Sequence, residues 1–199
     1  IAVDMIFPEA LLFEALELFA SESRGSRVEV ISSTLSGTQD AVLHGQAEMG
    51  ICGLLPTGFS GERLLQLDFV AVAHPAHPLF RVEGEVAEKE LKKHRQLVVR
   101  DSGTKRRLDS GWLGSEQRWT MSSFEQSAEL VKRNLGFAFL PEHKVAQALA
   151  AGDIKHLAQV ENKKRGIYCH LVFPDNECVG PATQLLSEKL REVCTSVTR

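Results

Sequence analysis

The fold of this chain is decided by residues 28–52, VEVISSTLSGTQDAVLHGQAEMGIC, which contain a strand, a turn, a helix and a second strand. The apolar alternation of Val28–Ile31 predicts the first strand, and Gly50–Cys52 predicts the second. Between them, the hydroxyl-rich turn 32–38 opens a helix that runs to Leu43 and stops at Gly45. A turn from the carboxyl end of a strand into a helix directs backbone N–H groups and hydroxyls to one place. Such a place favours a small anion.

Two further turns of this kind follow. The second, Arg100–Thr104, comes after the apolar run 96–99, and the third, Met121–Ser123, precedes a helix with an apolar face. Any single Ser or Thr in these turns also suits a helix N-cap or a Ser/Thr turn. Three such turns together favour a ligand cleft between two α/β lobes.

Composition sets the broad class. The chain has 199 residues, of which 43% are hydrophobic and 25% charged, so an ordered globular protein is expected and disorder is excluded. A net charge of −3 provides no general attraction to nucleic acid, and the basic runs at 92–95, 105–107 and 163–165 are interpreted as solvated faces. No stretch approaches the roughly twenty apolar residues of a membrane span, and no signal-peptide pattern is present.

The four cysteines indicate a reducing, cytoplasmic setting. They show no CxxC spacing, and the simplest interpretation is that they are buried thiols: Cys52, Cys169, Cys178 and Cys194. The chain opens directly on a strand without an initiator Met, which predicts a fragment of a longer protein.

The remaining pattern predicts an α/β fold in two lobes. Expected strands are 1–3, 64–73, 97–99, 137–140 and 167–173, and expected helices are 8–20, 88–93, one starting at Thr104, 123–133, 142–151 and one after Gly180. The chain would cross between the lobes twice, with residues 1–73 plus 168–199 in subdomain I and residues 74–167 in subdomain II. The C-terminal helix would pack on the first lobe.

The order of the motifs resembles the effector-binding domain of LysR-type transcriptional regulators. The motifs are Val42-x-x-Gly45-x-x-Glu48-x-x-Ile51, the run VAVAHPAHPL at 70–79, Asp101–Thr104, and LVKRNLGFAFLP at 130–141. The resemblance implies two Rossmann-like subdomains joined by two crossing strands, a periplasmic-binding-protein-like fold of type 2. It also implies a homodimer or homotetramer and an N-terminal winged helix-turn-helix, absent from this chain, through which the parent protein binds DNA. Asn134 stands where the family has the first glycine of Gly-x-Gly, so a positive φ is expected there.

The resemblance also implies a site for a small organic anion in the cleft. The implied effector-binding residues are Met5, Ile6, Ser33, Thr34, Leu35, Arg100, Ser102, Gly103, Thr104, Trp119, Met121, Ser122 and Ser123. Arg100 and Lys105 flank the second turn and could pair with a carboxylate of the ligand, although surface charge is the better interpretation of Lys105. Trp119 and Met121 suit a pocket wall, although bulky apolar residues more often belong to a core.

Other functional classes find less support. His74 and His77 are three residues apart, but prolines after each prevent a regular helix, so no metal site is expected. No nucleophile with a positioned base and no cofactor loop is recognisable, which argues against an enzyme and predicts no cofactor. A periplasmic solute-binding protein stays open as the alternative, because the same two-lobed design serves it.

Overall fold

The computed structural model describes residues 1–55, 59–104, 108–158, 160, 164–174 and 179–197. These residues form an α/β fold with nine strands and six helices. The strands are β1 (Ala2–Asp4), β2 (Ile31–Ser33), β3 (Gly50–Cys52), β4 (Gly61–Ala73), β5 (Gln96–Val99), β6 (Arg118–Met121), β7 (Phe137–Pro141), β8 (Lys155–His156) and β9 (Lys164–Val172). The helices are α1 (Glu9–Glu22), α2 (Ser36–Leu43), α3 (Glu88–Leu91), α4 (Phe124–Lys132), α5 (Glu142–Ala151) and α6 (Pro181–Val197), and a short 3₁₀ turn covers Pro78–Arg81.

The chain divides into two compact units. Unit 1 contains Ile1–Gln66, Asp101–Leu108 and Tyr168–Arg199, and unit 2 contains Leu67–Arg100 and Asp109–Ile167. The chain therefore changes unit within β4 and within β9, and a short excursion from unit 2 to unit 1 occupies Asp101–Leu108.

Unit 1 is built on the strand order β2-β1-β3-β9. β1 is parallel to β2 and β3, so the carboxyl ends of these three strands lie at one edge, with Asp4 opposite Ser33. The N-terminal part of α2 follows from this edge. α1 and α6 pack against each other, as expected for a first lobe that recruits the C-terminal helix. Their buried side chains include Leu12 and Phe19 on α1 and Leu190 on α6.

Unit 2 is built on the strand order β4-β7-β5-β6. β5 is parallel to β6 and β7, while β7 and β8 are antiparallel to β4. Its core is apolar and buried, with partly buried aromatic rings against it: Ala71, Ala73, Leu79, Val86, Leu91, Phe137, Leu157 and Val160, with Phe80, Trp112 and Phe139 packed on them.

Most of the expected elements are confirmed. α5 begins and ends where the sequence predicts, β3 has the predicted bounds, and α6 begins at Pro181, a residue suited to a first helical turn. Asn134 has φ 58°. Its N–H donates to the carbonyl of Val131, and the N–H of Leu135 donates to that of Leu130, which together form a Schellman end to α4.

Two expectations about local structure are wrong. The strand predicted at Val28–Ile31 begins only at Ile31, because its pairing with β1 begins there, with Ala2 opposite Ile31, and because Val28 and Val30 are exposed. The helix expected from Thr104 does not continue in the described residues: 104 and 108–117 are irregular, and 105–107 lie outside the described residues. The N–H groups of Gly103 and Leu108 instead donate to the side chain of Asp101.

Three of the cysteines are free, buried thiols as predicted, and Cys178 lies outside the described residues. Burial raises the pKa of Cys52 to about 12 and that of Cys194 to about 11, and it also raises the pKa of Cys169. Among the described residues, no helix has the length and apolar character needed to cross a membrane.

Candidate functional site

Asp4, which was not among the predicted site residues, holds the turn between β2 and α2. Asp4, at the carboxyl end of β1, is 2% exposed, and its Oδ2 accepts the N–H of Leu35 at 3.2 Å while Oδ1 accepts that of Ile6 at 3.1 Å. Burial raises the pKa of Asp4 to about 6; N–H donors, including that of Gly53, oppose the rise, and the nearby Asp101 adds to it. A signal was available, since a carboxylate ends the first of the parallel strands.

The conformation of the turn is strained at one residue. Leu35 has φ 51° and ψ −112°, a backbone conformation that a residue with a side chain rarely adopts. Asp4 binds the N–H of Leu35 itself, and Asp101 binds that of Ser36 after it, so two carboxylates hold the strained residue in place.

Three of the implied residues lie at the carboxyl ends of β1 and β2: Met5 follows β1, Ser33 ends β2, and Thr34 follows it. Ser33 is buried, and its hydroxyl lies 2.7 Å from that of Thr38 inside α2. The N–H of Met5 donates to the carbonyl of Ser33 at 2.7 Å, which ties the start of the 5–8 turn to β2. Ile6 is buried beside them. The hydroxyl of Ser33 is therefore engaged within the protein.

The second turn reaches the first one inside unit 1. Ser102 Oγ accepts the N–H of Thr34 at 2.8 Å and donates to the carbonyl of Thr34 at 3.2 Å, and the N–H of Ser102 donates to the same carbonyl at 3.3 Å. Gly37 allows this approach, because a Cβ on it would lie 2.0 Å from Ser102 Oγ. The two turns were expected on opposite lobes, facing one cleft, whereas in the structure Ser102 bonds directly to Thr34 and both lie in unit 1.

Two carboxylates complete the contact between the turns. Asp101 accepts the N–H of Ser36 at 3.0 Å and its hydroxyl at 2.6 Å, and it also accepts the N–H groups of Gly103 at 2.9 Å and Leu108 at 2.6 Å. In the opposite direction, Asp40 on α2 accepts the N–H of Thr104 at 2.7 Å and its hydroxyl at 3.2 Å. Ser36, Asp40 and Asp101 were all missed from the sequence. Lys105 lies outside the described residues.

The remaining implied residues lie in unit 2, at the ends of β5 and β6. The N–H of Arg100 donates to the carbonyl of Met121 at 3.0 Å. Ser123 caps α4 by accepting the N–H of Gln126 at 3.3 Å, and the Gln126 side chain accepts the N–H of Ser122 at 3.0 Å. Ser123 is the N-cap of α4, so its hydroxyl has a local structural task.

Trp119 lies near the start of β6, whereas Met121 lies at its end. The Arg95 guanidinium lies 4.0 Å from the centre of the Trp119 ring. Arg95 precedes β5, whereas Arg100 follows it, and β5 is parallel to β6. The ring of Trp119 is therefore placed toward the start of these strands, and Arg100 and Ser122 lie at their ends.

The side chains considered for metal binding have other partners. His74 and His77 each accept a backbone N–H on Nδ1, from Ala76 at 3.1 Å and from Leu79 at 3.2 Å. Across the part of the chain that the structure describes, no group of three or more His, Cys, Asp or Glu side chains is placed to hold a metal ion. The contacts between the β2–α2 turn and Asp101–Thr104 in unit 1 offer hydrogen bonding by hydroxyls, amides and carboxylates.

Comparison with known proteins places these features in a family. The family described as LysR substrate binding domain matches residues 1–195. The uncharacterized HTH-type transcriptional regulator YeeY of Escherichia coli (strain K12) is 29% identical over 157 residues, covering 76% of this chain and 51% of YeeY. The chain thus spans about half the length of the curated relatives it matches.

Solved structures show the same fold. Full-length LysG from Corynebacterium glutamicum with bound effector Arg superposes with a TM-score of 0.71 at 17% identity, covering 98% of this chain and 67% of LysG. The effector-binding domain of QuiR in complex with shikimate superposes with a TM-score of 0.72 at 11% identity, covering 98% and 95%. The expected α/β fold of the type 2 periplasmic-binding-protein-like class is confirmed. The predicted resemblance is also confirmed, and the chain belongs to the LysR substrate-binding domain family.

Proposed function

We propose that this chain senses a small organic anion for a LysR-type transcriptional regulator, through Thr34 and through Ser102, whose hydroxyl and amide bond to the backbone of Thr34. The observation that carries the proposal is the meeting of two hydroxyl-rich turns, 68 residues apart in sequence, at the entry of α2. LysG binds Arg and QuiR binds shikimate in the same fold, which supports a small organic molecule as the ligand class.

The proposed selectivity follows from the neighbouring residues. Met5, which is half-buried and follows β1, offers apolar surface near Ser33, and Ile6 is buried beneath the same turn, so a ligand with a hydrophobic body is favoured. The carboxylate of the ligand would accept hydrogen bonds from the hydroxyls and amides at the α2 entry, where the helix dipole favours negative charge. Further predicted contacts to the ligand are Arg100, Met121, Ser122 and Ser123. The subdomain limits given in the sequence analysis also stay predictions.

The proposed role is binding without catalysis. The three described thiols are buried with raised pKa values, so none is a thiolate nucleophile at neutral pH. The hydroxyls of Ser33 and Ser102 have hydroxyl or backbone partners and no histidine base.

The experiment is a calorimetric and thermal-shift screen of small organic acids against the chain, followed by titration of the Thr34→Ala, Ser102→Ala double variant with each hit. Each hydrogen bond to a charged group contributes on the order of 1.5–3 kcal/mol, so we expect the double variant to bind at least tenfold more weakly. The matched control is Thr195→Ala, Ser196→Ala, two hydroxyls that donate to carbonyls of their own helix. Equal affinity of the Thr34, Ser102 variant and the wild type would contradict the proposed site.

We further propose that the chain acts as a homodimer or homotetramer in the cytoplasm, and that the parent protein binds DNA through an N-terminal helix-turn-helix. The DNA-binding part is supported by YeeY, which is described as an HTH-type regulator and of which the chain covers 51%. The assembly follows from the resemblance to the family, and the cytoplasmic setting from the cysteine pattern. Light scattering of the chain at high micromolar concentration tests the assembly. A strictly monomeric mass would count against it.

A further inference from the structure

The segment Asp101–Thr104 belongs by sequence between two parts of unit 2, yet it packs in unit 1. We call it the strap. It contacts the start of α2 at three points: Asp101 at Ser36, Ser102 at Thr34, and Thr104 at Asp40. Each side supplies one carboxylate: Asp101 of the strap accepts hydrogen bonds from α2, and Asp40 of α2 accepts hydrogen bonds from the strap.

The strap places the side chain of Asp101 at the start of α2, and this side chain is a carboxylate, like the proposed ligand. The Asp101 carboxylate has a partner for each of about four acceptor positions: the N–H and hydroxyl of Ser36, and the N–H groups of Gly103 and Leu108. A carboxylate of a free ligand could form the same bonds with Ser36. The chain thus presents its own carboxylate to the donors that an organic anion would use.

The attachment of the strap is polar throughout. Its sequence, Asp-Ser-Gly-Thr, contains no large apolar side chain, and Ser102 and Thr104 are exposed. Burial of apolar surface therefore adds little to the attachment, and hydrogen bonds of modest net strength hold it. Segments of this kind open locally at low free-energy cost compared with core elements.

We propose that the strap is an internal competitor of the effector: Asp101 occupies the α2 entry in the described state, and effector binding requires its release. This deepens the proposed function and rests on it for the identity of the ligand. Release removes Asp101 from the N–H and hydroxyl of Ser36, which then joins Thr34 as a ligand-binding residue. The affinity measured for an effector is lowered by the fraction of molecules in which the strap is bound.

Two variants release the strap in different ways. Asp101→Ala removes the competing carboxylate. Gly37→Ala removes no donor or acceptor, but its Cβ would lie 2.0 Å from Ser102 Oγ and 3.2 Å from Ser102 Cβ, which pushes the strap off α2. The matched control is Gly180→Ala, because a Cβ on Gly180 meets nothing within 4 Å.

The test uses inorganic sulfate as the probe, with sodium chloride at equal ionic strength as reference, and reads the amide signal of Ser36 by NMR. We expect both variants to bind sulfate at this amide at least about tenfold more tightly than the wild type and Gly180→Ala. We also expect amide exchange at Thr34 to accelerate by about tenfold or more in Gly37→Ala, because that N–H loses Ser102 Oγ.

Sulfate binding that is equal in the wild type and both variants would overturn the proposal, and so would unchanged exchange at Thr34 in Gly37→Ala. If Asp101→Ala does not fold, Gly37→Ala carries both measurements. The sulfate titration needs no effector, so a failed search for organic acids leaves this result standing. Conversely, if an effector is confirmed but neither variant changes sulfate binding, only the competitor role of the strap is refuted.

Discussion

We expect His77→Asn to remove much of the acid sensitivity of unit 2. His77 is 5% exposed and precedes the Pro78–Arg81 turn, where its Nδ1 accepts the N–H of Leu79 at 3.2 Å. Its ring centre lies 5.1 Å from that of His94, which in turn lies 3.8 Å from Glu90. Burial, assisted by His94 and His74, lowers the pKa of His77 from its usual 6.5 to about 4.

The sign and size of the effect follow from linkage. Between about pH 4 and pH 6.5 the folded protein holds fewer protons on His77 than the unfolded chain does, so stability rises with pH across this window. At about 1.4 kcal/mol per pH unit, the difference corresponds to roughly 3 kcal/mol that is present above pH 6.5 and lost on acidification to pH 4. Asn retains an acceptor for the Leu79 N–H and does not titrate.

The assay is urea unfolding between about pH 4 and pH 8, followed by tryptophan fluorescence. Both tryptophans of the chain, Trp112 and Trp119, lie in unit 2, so the signal reports that unit. His77→Asn will be less stable than the wild type at neutral pH, because ring packing is lost. The test is therefore the slope of the free energy of unfolding against pH. His156→Asn, at an exposed histidine on β8, is the control and should keep the wild-type slope. A slope in His77→Asn equal to that of the wild type would refute the reasoning.

Two further predictions concern Asp4 and Asn134. The pKa of Asp4 is raised from its usual 3.8 to about 6, so the folded state holds more protons in this window, and unit 1 should lose up to roughly 3 kcal/mol as pH rises from 4 to 6. Circular-dichroism melting in the His77→Asn background should show this loss, and adding Asp4→Asn should abolish it. Asn134→Val should destabilise the chain by about 1 kcal/mol or more in urea titrations, because Val resists φ 58°, whereas Asn134→Gly should be nearly neutral. Equal stability of the Val and Gly variants would show that the Schellman end does not constrain this residue.

Elements whose pattern is local could be predicted from the sequence. α5 has its apolar face and ends at Gly152, and the positive φ of Asn134 follows from its place after a helix. The boundary between β2 and α2 could not be predicted in the same way. Ser32 and Ser33 suit a helix start, but they join β2 because β1 supplies backbone partners from thirty residues away. Tertiary pairing therefore overrides the local signal there.

The carboxylates of the candidate site were missed for a related reason. Asp4, Asp40 and Asp101 look like ordinary polar residues at strand ends and on a helix, and no spacing links them to Leu35, Thr104 or Ser36. Their roles arise from contacts over 31 to 65 positions, which only the fold creates. Asp101 also accounts for the missing continuation of the helix expected from Thr104, since its side chain accepts the N–H groups of Gly103 and Leu108.

The distance in sequence between a hydroxyl and its partner separates the two interpretations of a Ser/Thr turn. Ser123 bonds to Gln126, three residues on, and this contact forms wherever α4 forms, so it is a cap. Ser102 bonds to Thr34, 68 residues away, and no helix requires that contact. A bond that secondary structure does not require can be exchanged for a bond to a ligand without unfolding an element. The Thr34 and Ser102 pair is therefore a stronger candidate for effector binding than Ser123, although the three residues look alike in the sequence.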